Sequence, residues 1–211
     1  MRFADRRHAG EKLGQVAAEL EPADPLVAAL PRGGVPVGFE VSRALDCQLD
    51  VLVVRKVGVP YQPELAMGAV AEGGVVIRNE DVLSAARISA TEFDSAVDLA
   101  RRELNQRLAA YRAAVDPIDP AERTVIVVDD GLATGSTAMA ALAAVRARGA
   151  NQVWLAVPVA PGEMVSQMTS HADEVIVLHH PRRFVAVGAW YQDFSQTSDD
   201  QVRDLLRRSR D

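Results

Sequence analysis

The chain has very little lysine, a single cysteine and no long run of apolar residues. Because Cys47 has no second cysteine to pair with, an intramolecular disulfide is excluded, and nothing else suggests secretion. No stretch approaches the roughly 18 uninterrupted apolar residues of a membrane span, and residues 1–8 lack the apolar core of a signal peptide. We therefore expect a cytoplasmic protein that has no membrane partner.

Positive charge is also in deficit. The 211 residues include 23 lysines and arginines against 29 aspartates and glutamates, which gives a formal net charge of -6, and Lys12 and Lys56 are the only lysines. Nucleic acids and anionic membranes select basic surfaces, so this balance argues against both as partners. The proportions of hydrophobic (48%) and charged (25%) residues are those of a folded globular chain, and the length allows one domain with two or three layers.

Short apolar segments alternate with amphipathic ones, which predicts an α/β fold with a mainly parallel sheet flanked by helices. The predicted strands are residues 26–30, 50–54, 65–70, 75–78, 124–128, 152–157 and 174–178. The predicted helices include residues 11–20, a segment after Gly34, residues 138–148 and a long helix that a capping box, Ser89 to Glu92, opens. Residues 57–64 contain Gly58, Pro60 and Pro63, and that composition predicts a loop.

The two ends of the chain do not follow this alternation of strands and helices. An aromatic-rich stretch, residues 184–194, precedes a last amphipathic segment that contains Val202, Leu205 and Leu206. We therefore expect a single domain whose core spans about residues 22–180. Residues 1–21 and 181–211 would together form a small cap.

The segment with the clearest chemical pattern is residues 125–137, VIVVDDGLATGST. A buried strand delivers two adjacent carboxylates, Asp129 and Asp130, to its carboxyl end, where open α/β sheets bind ligands. Two glycines in the loop that follows let backbone N–H groups approach an anion, and the start of a helix adds a favourable partial charge. The hydroxyl donors of this loop are Thr134, Ser136 and Thr137. Because the carboxylates suit hydroxyl groups or a divalent cation, the pattern predicts a sugar phosphate site.

This segment resembles the phosphoribosyl-diphosphate (PRPP) signature of type I phosphoribosyltransferases, which has four apolar residues, two acids and a short loop that ends in Thr-Gly-x-Thr. The resemblance implies that Asp129 and Asp130 bind the ribose hydroxyls of PRPP and a Mg²⁺ ion, directly or through water. It also implies that the loop after them anchors the 5′-phosphate. The residues of this loop are Gly131, Leu132, Ala133, Thr134, Gly135, Ser136 and Thr137.

The resemblance assigns the pyrophosphate of PRPP to a short loop after the first core strand, which in this family often contains a non-proline cis peptide bond. Residues 31–34, Pro-Arg-Gly-Gly, occupy that position. Arg32 offers a planar, two-pronged contact to phosphate, and Gly33 and Gly34 permit close backbone approach. Lys56, at the end of the second strand, is the other expected pyrophosphate ligand. A plain turn that carries a surface arginine is the alternative interpretation of this loop.

In this family a cap called the hood selects the nucleophile. Residues 184–194 resemble the hood strand of purine salvage enzymes, in which an aromatic residue stacks on the base and a later aspartate reads its edge. The base-binding candidates that this implies are Phe184, Trp190 and Asp193, and packing of the hood onto the core is the open alternative for the aromatic residues. Ala133 stands where the 6-oxopurine enzymes have an aspartate, so we expect adenine-like or non-purine acceptors.

The reaction that the resemblance implies is displacement of pyrophosphate from C1 of PRPP by a nitrogen nucleophile such as a nucleobase. Mg²⁺ is the expected cofactor and a homodimer the expected assembly, and the predicted catalytic residues are Arg32, Lys56, Asp129 and Asp130. Two alternatives stay open: a PRPP-binding regulator without turnover, and a nucleic-acid-binding relative of the uracil-regulatory type. The sequence has no helix-turn-helix segment or basic stripe that would favour a regulator of transcription.

Overall fold

The computed structural model describes residues 2–210, which form two β-sheets and the helices that cover them. The strands are β1 (Pro25–Ala29), β2 (Gln48–Val51), β3 (Val54–Val59), β4 (Gln62–Ala71), β5 (Val76–Arg78), β6 (Thr124–Val128), β7 (Gln152–Val159) and β8 (Glu174–His179). The helices are α1 (Arg6–Glu19), α2 (Gly34–Ala44), α3 (Glu80–Ala85), α4 (Ala90–Arg112), α5 (Ser136–Ala147), α6 (Gly162–Met168) and α7 (Asp199–Arg208), with a short 3₁₀ helix at Val187–Trp190.

Five strands form a parallel sheet in the order β2-β1-β6-β7-β8, so the predicted α/β class is confirmed. The chain passes from β1 to β2 on one side and later places β6 on the other side of β1. The carboxyl ends of parallel strands at such a reversal enclose a crevice in which ligands bind. The topology therefore points to the edge above β1 and β6.

Alternate side chains of β1 enter different cores, because successive residues of a strand face opposite sides of the sheet. Val27 and Ala29 pack in the core that includes α1, α2 and α7, whereas Leu26 and Ala28 pack in the core that includes α5 and α6. The sheet is thus the middle of three layers, within the range that the chain length allowed.

A second, antiparallel sheet consists of β3, β4 and β5 and packs against α4 and α5. The expected loop over residues 57–64 is wrong, since β3 continues to Val59 and β4 begins at Gln62. The register of the pair shifts at Gly58, where a Cβ atom would lie 2.4 Å from the carbonyl oxygen of Pro63. Glycine and proline therefore shape the end of a hairpin here and do not interrupt it.

The long helix α4 agrees with its sequence pattern. Ser89 and Glu92 form the capping box that opens it, and α4 buries a single stripe of side chains. That stripe consists of Phe93, Val97, Ala100, Leu104, Leu108 and Tyr111, the residues that the periodicity singled out.

The two ends of the chain meet beside the parallel sheet. Phe3 pairs with Tyr191 in an isolated bridge, and the backbone N–H of Gln192 donates to the carbonyl oxygen of Phe3 at 2.8 Å. Helix α1 begins at Arg6, earlier than its apolar pattern predicts, and α7 packs on α2 and α4. The division into a core and a cap stays a prediction. None of the helices within residues 2–210 is long and apolar enough to cross a membrane.

Candidate functional site

The carboxyl ends of β1 and β6 bring two loops side by side. The strands pair with Ala29 opposite Val128, and beyond β1 the N–H of Leu30 still donates to the carbonyl oxygen of Val128 at 2.8 Å. Residues 31–34 continue from β1, and residues 129–135 continue from β6. Two segments that are distant in sequence therefore form the walls of one crevice.

Gly34 shows how tightly these loops are packed, because a Cβ atom there would lie 2.6 Å from the carbonyl oxygen of Val128. Gly33 lies directly against the carboxylate of Asp130. The peptide bond between Pro31 and Arg32 is cis. The loop after β1 thus presents its backbone directly to the start of the loop after β6.

Asp129 and Asp130 lie at this contact, and both are half-buried. Oδ1 of Asp129 accepts a hydrogen bond from the backbone N–H of Asp130 at 2.8 Å. Burial raises the pKa of Asp129 well above its usual value, and the charge of Asp130 raises it further. Burial also raises the pKa of Asp130, while the guanidinium of Arg6 opposes that rise. Two carboxylates held this close favour hydrogen-bond donors or a cation between them and solvent.

Arg6 is a site residue that sequence reasoning missed. Its Nε donates to Oδ2 of Asp130 at 2.8 Å, and the side chains of the pair are only 12% and 15% exposed. Nη1 of Arg6 donates to the carbonyl oxygen of Ser195 at 2.7 Å, and the guanidinium carbon lies 3.9 Å from the ring centre of Phe194. Tyr191 is also in contact, since its hydroxyl donates to the carbonyl oxygen of Asp130 at 2.6 Å.

The loop after the acids turns at Gly135, whose φ of 68° is in the left-handed region that favours glycine. The side chain of Leu132 is buried, and its backbone N–H donates to the carbonyl oxygen of Val159 at 2.9 Å. Both contacts anchor the loop to the core. The hydroxyls of Thr134 and Ser136 lie 3.3 Å apart at the start of α5. The first N–H groups of a helix have no partner within the helix, so this turn combines free amide donors with hydroxyls.

Three arginines line a cavity of about 420 Å³ between the loop after β1 and α4. Arg32 enters it from the loop, Arg55 from β3 and Arg107 from α4. Arg55 is paired with Glu103, whereas neither of the other two arginines forms an ion pair within residues 2–210. Asp199 also lines the cavity and accepts a hydrogen bond from the hydroxyl of Tyr111. The lining therefore has one positive charge in excess, to which Arg107 contributes without having been predicted.

Lys56 is exposed and does not line the arginine cavity. It contributes to a neighbouring cavity of about 500 Å³ between the second sheet and α5, together with Glu64 and Ser136. The structure therefore places Lys56 and Arg32 at different cavities.

The aromatic residues near the end of the chain are mostly engaged in packing. Tyr191 is buried against Phe3, and Trp190 meets the ring of His179 edge-on at 4.8 Å. The carboxylate of Asp193 accepts a hydrogen bond from the N–H of Ser195 at 2.8 Å, which lowers its pKa. Phe184 is half-buried. These contacts favour the packing interpretation for Trp190, and a role in base binding stays a prediction for Phe184, Trp190 and Asp193.

The acid pair is also a candidate site for Mg²⁺. Among the residues that the structure describes, no group of three or more His, Cys, Asp or Glu side chains is arranged to hold a metal ion. Mg²⁺ commonly binds one or two carboxylates and completes its shell with water and substrate phosphates. Asp129 and Asp130 fit an ion of that kind, with one oxygen of Asp130 already bonded to Arg6.

A family model and the curated relatives of this chain carry the same family description. A model of the phosphoribosyl transferase domain matches residues 6–192. The chain is 47% identical over 207 residues to the candidate phosphoribosyl transferase Rv0571c of Mycobacterium tuberculosis, a match that covers 98% of this chain and 47% of that protein. The chain thus spans about half the length of the curated relatives it matches.

Solved structures are also similar. The crystal structure of TT1426 from Thermus thermophilus has 42% sequence identity and a TM-score of 0.91, with 99% of both chains covered. The AQ2163 protein from Aquifex aeolicus has 12% identity and a TM-score of 0.51 over 96% of this chain and 85% of that chain. At that identity, the second likeness concerns the fold alone.

Proposed function

The chain belongs to the family of phosphoribosyl transferase domains, and on that premise we propose that it transfers the 5-phosphoribosyl group of PRPP to a nitrogen nucleophile, with Mg²⁺ and with release of pyrophosphate. One observation carries this proposal. A turn with free amide and hydroxyl donors, a pair of carboxylates and the arginine that enters a positively charged cavity all lie on the two loops above β1 and β6. PRPP needs all three, because it has a phosphate at one end, ribose hydroxyls in the middle and a diphosphate at C1.

The turn over residues 131–137 is the proposed site of the 5′-phosphate. Backbone N–H groups in the first turn of α5 and the hydroxyls of Thr134, Ser136 and Thr137 would donate to its oxygens. The partial positive charge at the start of a helix favours the same anion. Leu132 supports this site by anchoring the loop, because its side chain is buried in the core and its N–H is already bonded to the carbonyl oxygen of Val159.

The two carboxylates would accept hydrogen bonds from the 2′- and 3′-hydroxyls of the ribose. The same carboxylates would hold Mg²⁺, directly or through water, and the ion would neutralise charge on the pyrophosphate as it leaves. Asp129 and Asp130 are thus proposed to fix the sugar ring at the point where the two loops meet.

The diphosphate would lie against the backbone of Gly33 and Gly34 and be held by the guanidinium of Arg32. Guanidinium groups bind phosphate oxygens through two parallel hydrogen bonds. This suits Arg32, which forms no ion pair within residues 2–210, although the carboxylate of Asp199 lines the same cavity. Arg107 faces the same cavity and would add positive charge. Lys56, which lines the neighbouring cavity, is the second side chain that we propose as a ligand of the diphosphate.

The reaction breaks the bond from C1 to the pyrophosphate oxygen while the nitrogen nucleophile attacks from the opposite face. Positive charge develops on the ribose ring, and fixed carboxylates beside the ring favour that charge. Because the protein orients both reactants and needs no covalent nucleophile, catalysis is mainly a matter of position and charge. Cys47 has no role in this mechanism, and burial raises the pKa of its thiol to about 11.

The proposed acceptor preference rests on the lack of a carboxylate at position 133. Ala133 offers no carboxylate to the nucleophile, so adenine-like or non-purine acceptors should react better than hypoxanthine or guanine. Phe184 is the proposed stacking surface for a planar acceptor. Phe184→Leu should raise the acceptor KM and leave the affinity for PRPP unchanged, whereas a wild-type preference for guanine would argue against this assignment.

Titration calorimetry with Mg–PRPP tests the proposal. Asp129→Asn keeps the size of the side chain and removes its charge, and loss of a charged hydrogen bond typically costs about 1.5–3 kcal/mol. We therefore expect a Kd at least about tenfold higher than that of the wild type. Asp94→Asn, on the exposed side of α4, is the matched control and should leave the Kd unchanged. Equal affinities for Asp129→Asn and the wild type would refute the assignment.

A further inference from the structure

The ion pair between Arg6 and Asp130 joins parts of the chain that are distant in sequence. Arg6 lies at the start of α1 and Asp130 at the end of β6. The same guanidinium donates to the carbonyl oxygen of Ser195 and lies over the ring of Phe194. One side chain therefore connects the first helix, the acid pair and the segment that precedes α7.

This contact makes the two acids chemically different. Oδ2 of Asp130 already accepts a hydrogen bond from Arg6 at 2.8 Å, so Oδ1 is the oxygen that stays free of the guanidinium. Asp129 forms no ion pair with any cation in the described part of the chain, and its one hydrogen bond comes from the neighbouring N–H. Each carboxylate thus accepts one hydrogen bond among the described residues, and the difference between them is that Asp130 is held by a cation and Asp129 is not.

The backbone of the loop after β1 also touches this pair. A Cβ atom on Gly33 would lie 3.3 Å from Nε of Arg6, in addition to its closer contact with Asp130. The hydroxyl of Tyr191 donates a hydrogen bond to the backbone carbonyl oxygen of Asp130. Asp130 is therefore fixed from three sides, by α1, by the loop after β1 and by the segment that follows the 3₁₀ helix.

We propose that Arg6 is a positioning residue that fixes the carboxylate of Asp130, so that its free oxygen, Oδ1, receives a ribose hydroxyl of PRPP beside Asp129. This inference rests on the proposed function and adds Arg6 to the residues on which ribose binding by the acid pair depends. Arg6 acts through Asp130 and does not touch the sugar. Because Arg6 also bonds Ser195, the orientation of Asp130 depends on the segment after the 3₁₀ helix as well as on its own loop.

A double-mutant cycle on the Kd for Mg–PRPP tests whether Arg6 acts through Asp130, because coupled residues show non-additive effects and independent residues show additive ones. Arg6→Gln and Asp130→Asn should each raise the Kd about tenfold, and the double variant should be no weaker than either single variant. Arg6→Gln combined with Asp129→Asn should instead multiply the two losses. A purely structural ion pair would lower the melting temperature without this selective coupling in ligand affinity.

Arg7→Gln is the matched control. Arg7 is the next residue of α1, its side chain is 69% exposed, and it pairs with Glu11 and Glu40 rather than with Asp130. Its replacement should leave the Kd for Mg–PRPP unchanged. If Arg6→Gln does not fold, Arg6→Lys decides the question, because an ammonium keeps the charge but cannot bond Asp130 and Ser195 in the same fork. A folded Arg6→Lys protein should bind Mg–PRPP at least about threefold more weakly than the wild type.

Wild-type affinity in Arg6→Lys, or coupling of Arg6 to Asp129 as strong as its coupling to Asp130, would overturn the inference and leave the proposed function intact. Absence of Mg–PRPP binding by the wild type would overturn the proposed function and this inference together. The two failures are therefore distinguishable in one set of titrations.

Discussion

A Cβ atom on Gly33 would lie 2.0 Å from Oδ2 of Asp130, well inside the contact distance of carbon and oxygen. Gly33 itself has φ of -63° and ψ of -34°, values that any residue can adopt. Glycine is therefore required here for space rather than for backbone conformation. The loop after β1 and the acid pair thus form one closely packed unit.

Gly33→Ala should disrupt the packing between the loop after β1 and the acid pair. The added methyl group forces either the loop or the carboxylate to shift, and overpacking of this kind typically costs about 1–3 kcal/mol of stability. We expect a lower midpoint in urea unfolding and a Kd for Mg–PRPP at least about tenfold higher than that of the wild type. Gly162→Ala is the control, since a Cβ atom there has no neighbour within 4 Å. Wild-type affinity in Gly33→Ala would mean that the loop position does not matter for the ligand.

The Arg32→Lys variant distinguishes binding of the diphosphate from binding of the rest of PRPP. An ammonium lacks the planar fork of a guanidinium, so the Kd for Mg–PRPP should rise by about tenfold or more. Ribose 5-phosphate has no diphosphate, and its Kd should barely change. Calorimetry with both ligands checks this, with Arg101→Lys on the exposed face of α4 as the control. Equal losses for the two ligands would show that Arg32 supports the fold instead.

Arg112 should be important for stability, because it satisfies a buried acid. Its guanidinium donates to Asp50 at 2.6 Å and 3.1 Å and to Glu72 at 2.7 Å, and Asp50 is only 4% exposed. Removing one partner of a buried pair leaves an uncompensated charge and typically costs about 3–5 kcal/mol. Arg112→Met should therefore lose that much in urea unfolding. Arg101→Met, at an exposed position of the same helix, should change stability by less than about 0.5 kcal/mol.

Cys47 should react slowly with iodoacetamide while the protein is folded. Burial raises the pKa of its thiol to about 11, so only about one thiol in a thousand is ionised at pH 8, and the thiolate is the nucleophile. The labelling rate should rise about tenfold for each pH unit up to pH 10. Since an unfolded thiol ionises near pH 8.5, its ionisation also favours the unfolded chain as the pH rises from about 8.5 toward 11. Rapid labelling at pH 7 would contradict this.

Local patterns predicted the elements that depend on local forces. The apolar run of β6 and the stripe of α4 appear in the sequence because each element buries one set of neighbouring side chains. The acid pair at the end of β6 was likewise predictable, since a strand determines where its carboxyl end lies. The hairpin of β3 and β4 was not, because Gly58 is used for a close approach between strands and not for a turn.

The partners of the site residues were not predictable in the same way. Arg6 and Asp130 are separated by 124 positions, and nothing in the charge pattern of α1 distinguishes Arg6 from Arg7. In the sequence, Arg107 is one of several arginines on α4, and only the packing of that helix beside the loop after β1 places it in the cavity with Arg32. Tertiary contacts of this kind have no signal in a single sequence.

The release of pyrophosphate tests the central claim most directly. Purified protein is incubated with Mg–PRPP and, in separate reactions, with adenine, hypoxanthine, guanine, uracil, orotate and small amines, and pyrophosphate is measured over time. We predict release that depends on both PRPP and one nitrogen acceptor, is fastest with an adenine-like or non-purine acceptor and is lost in Asp129→Asn. Tight binding of PRPP with no pyrophosphate from any acceptor would contradict the claim that this chain is a transferase.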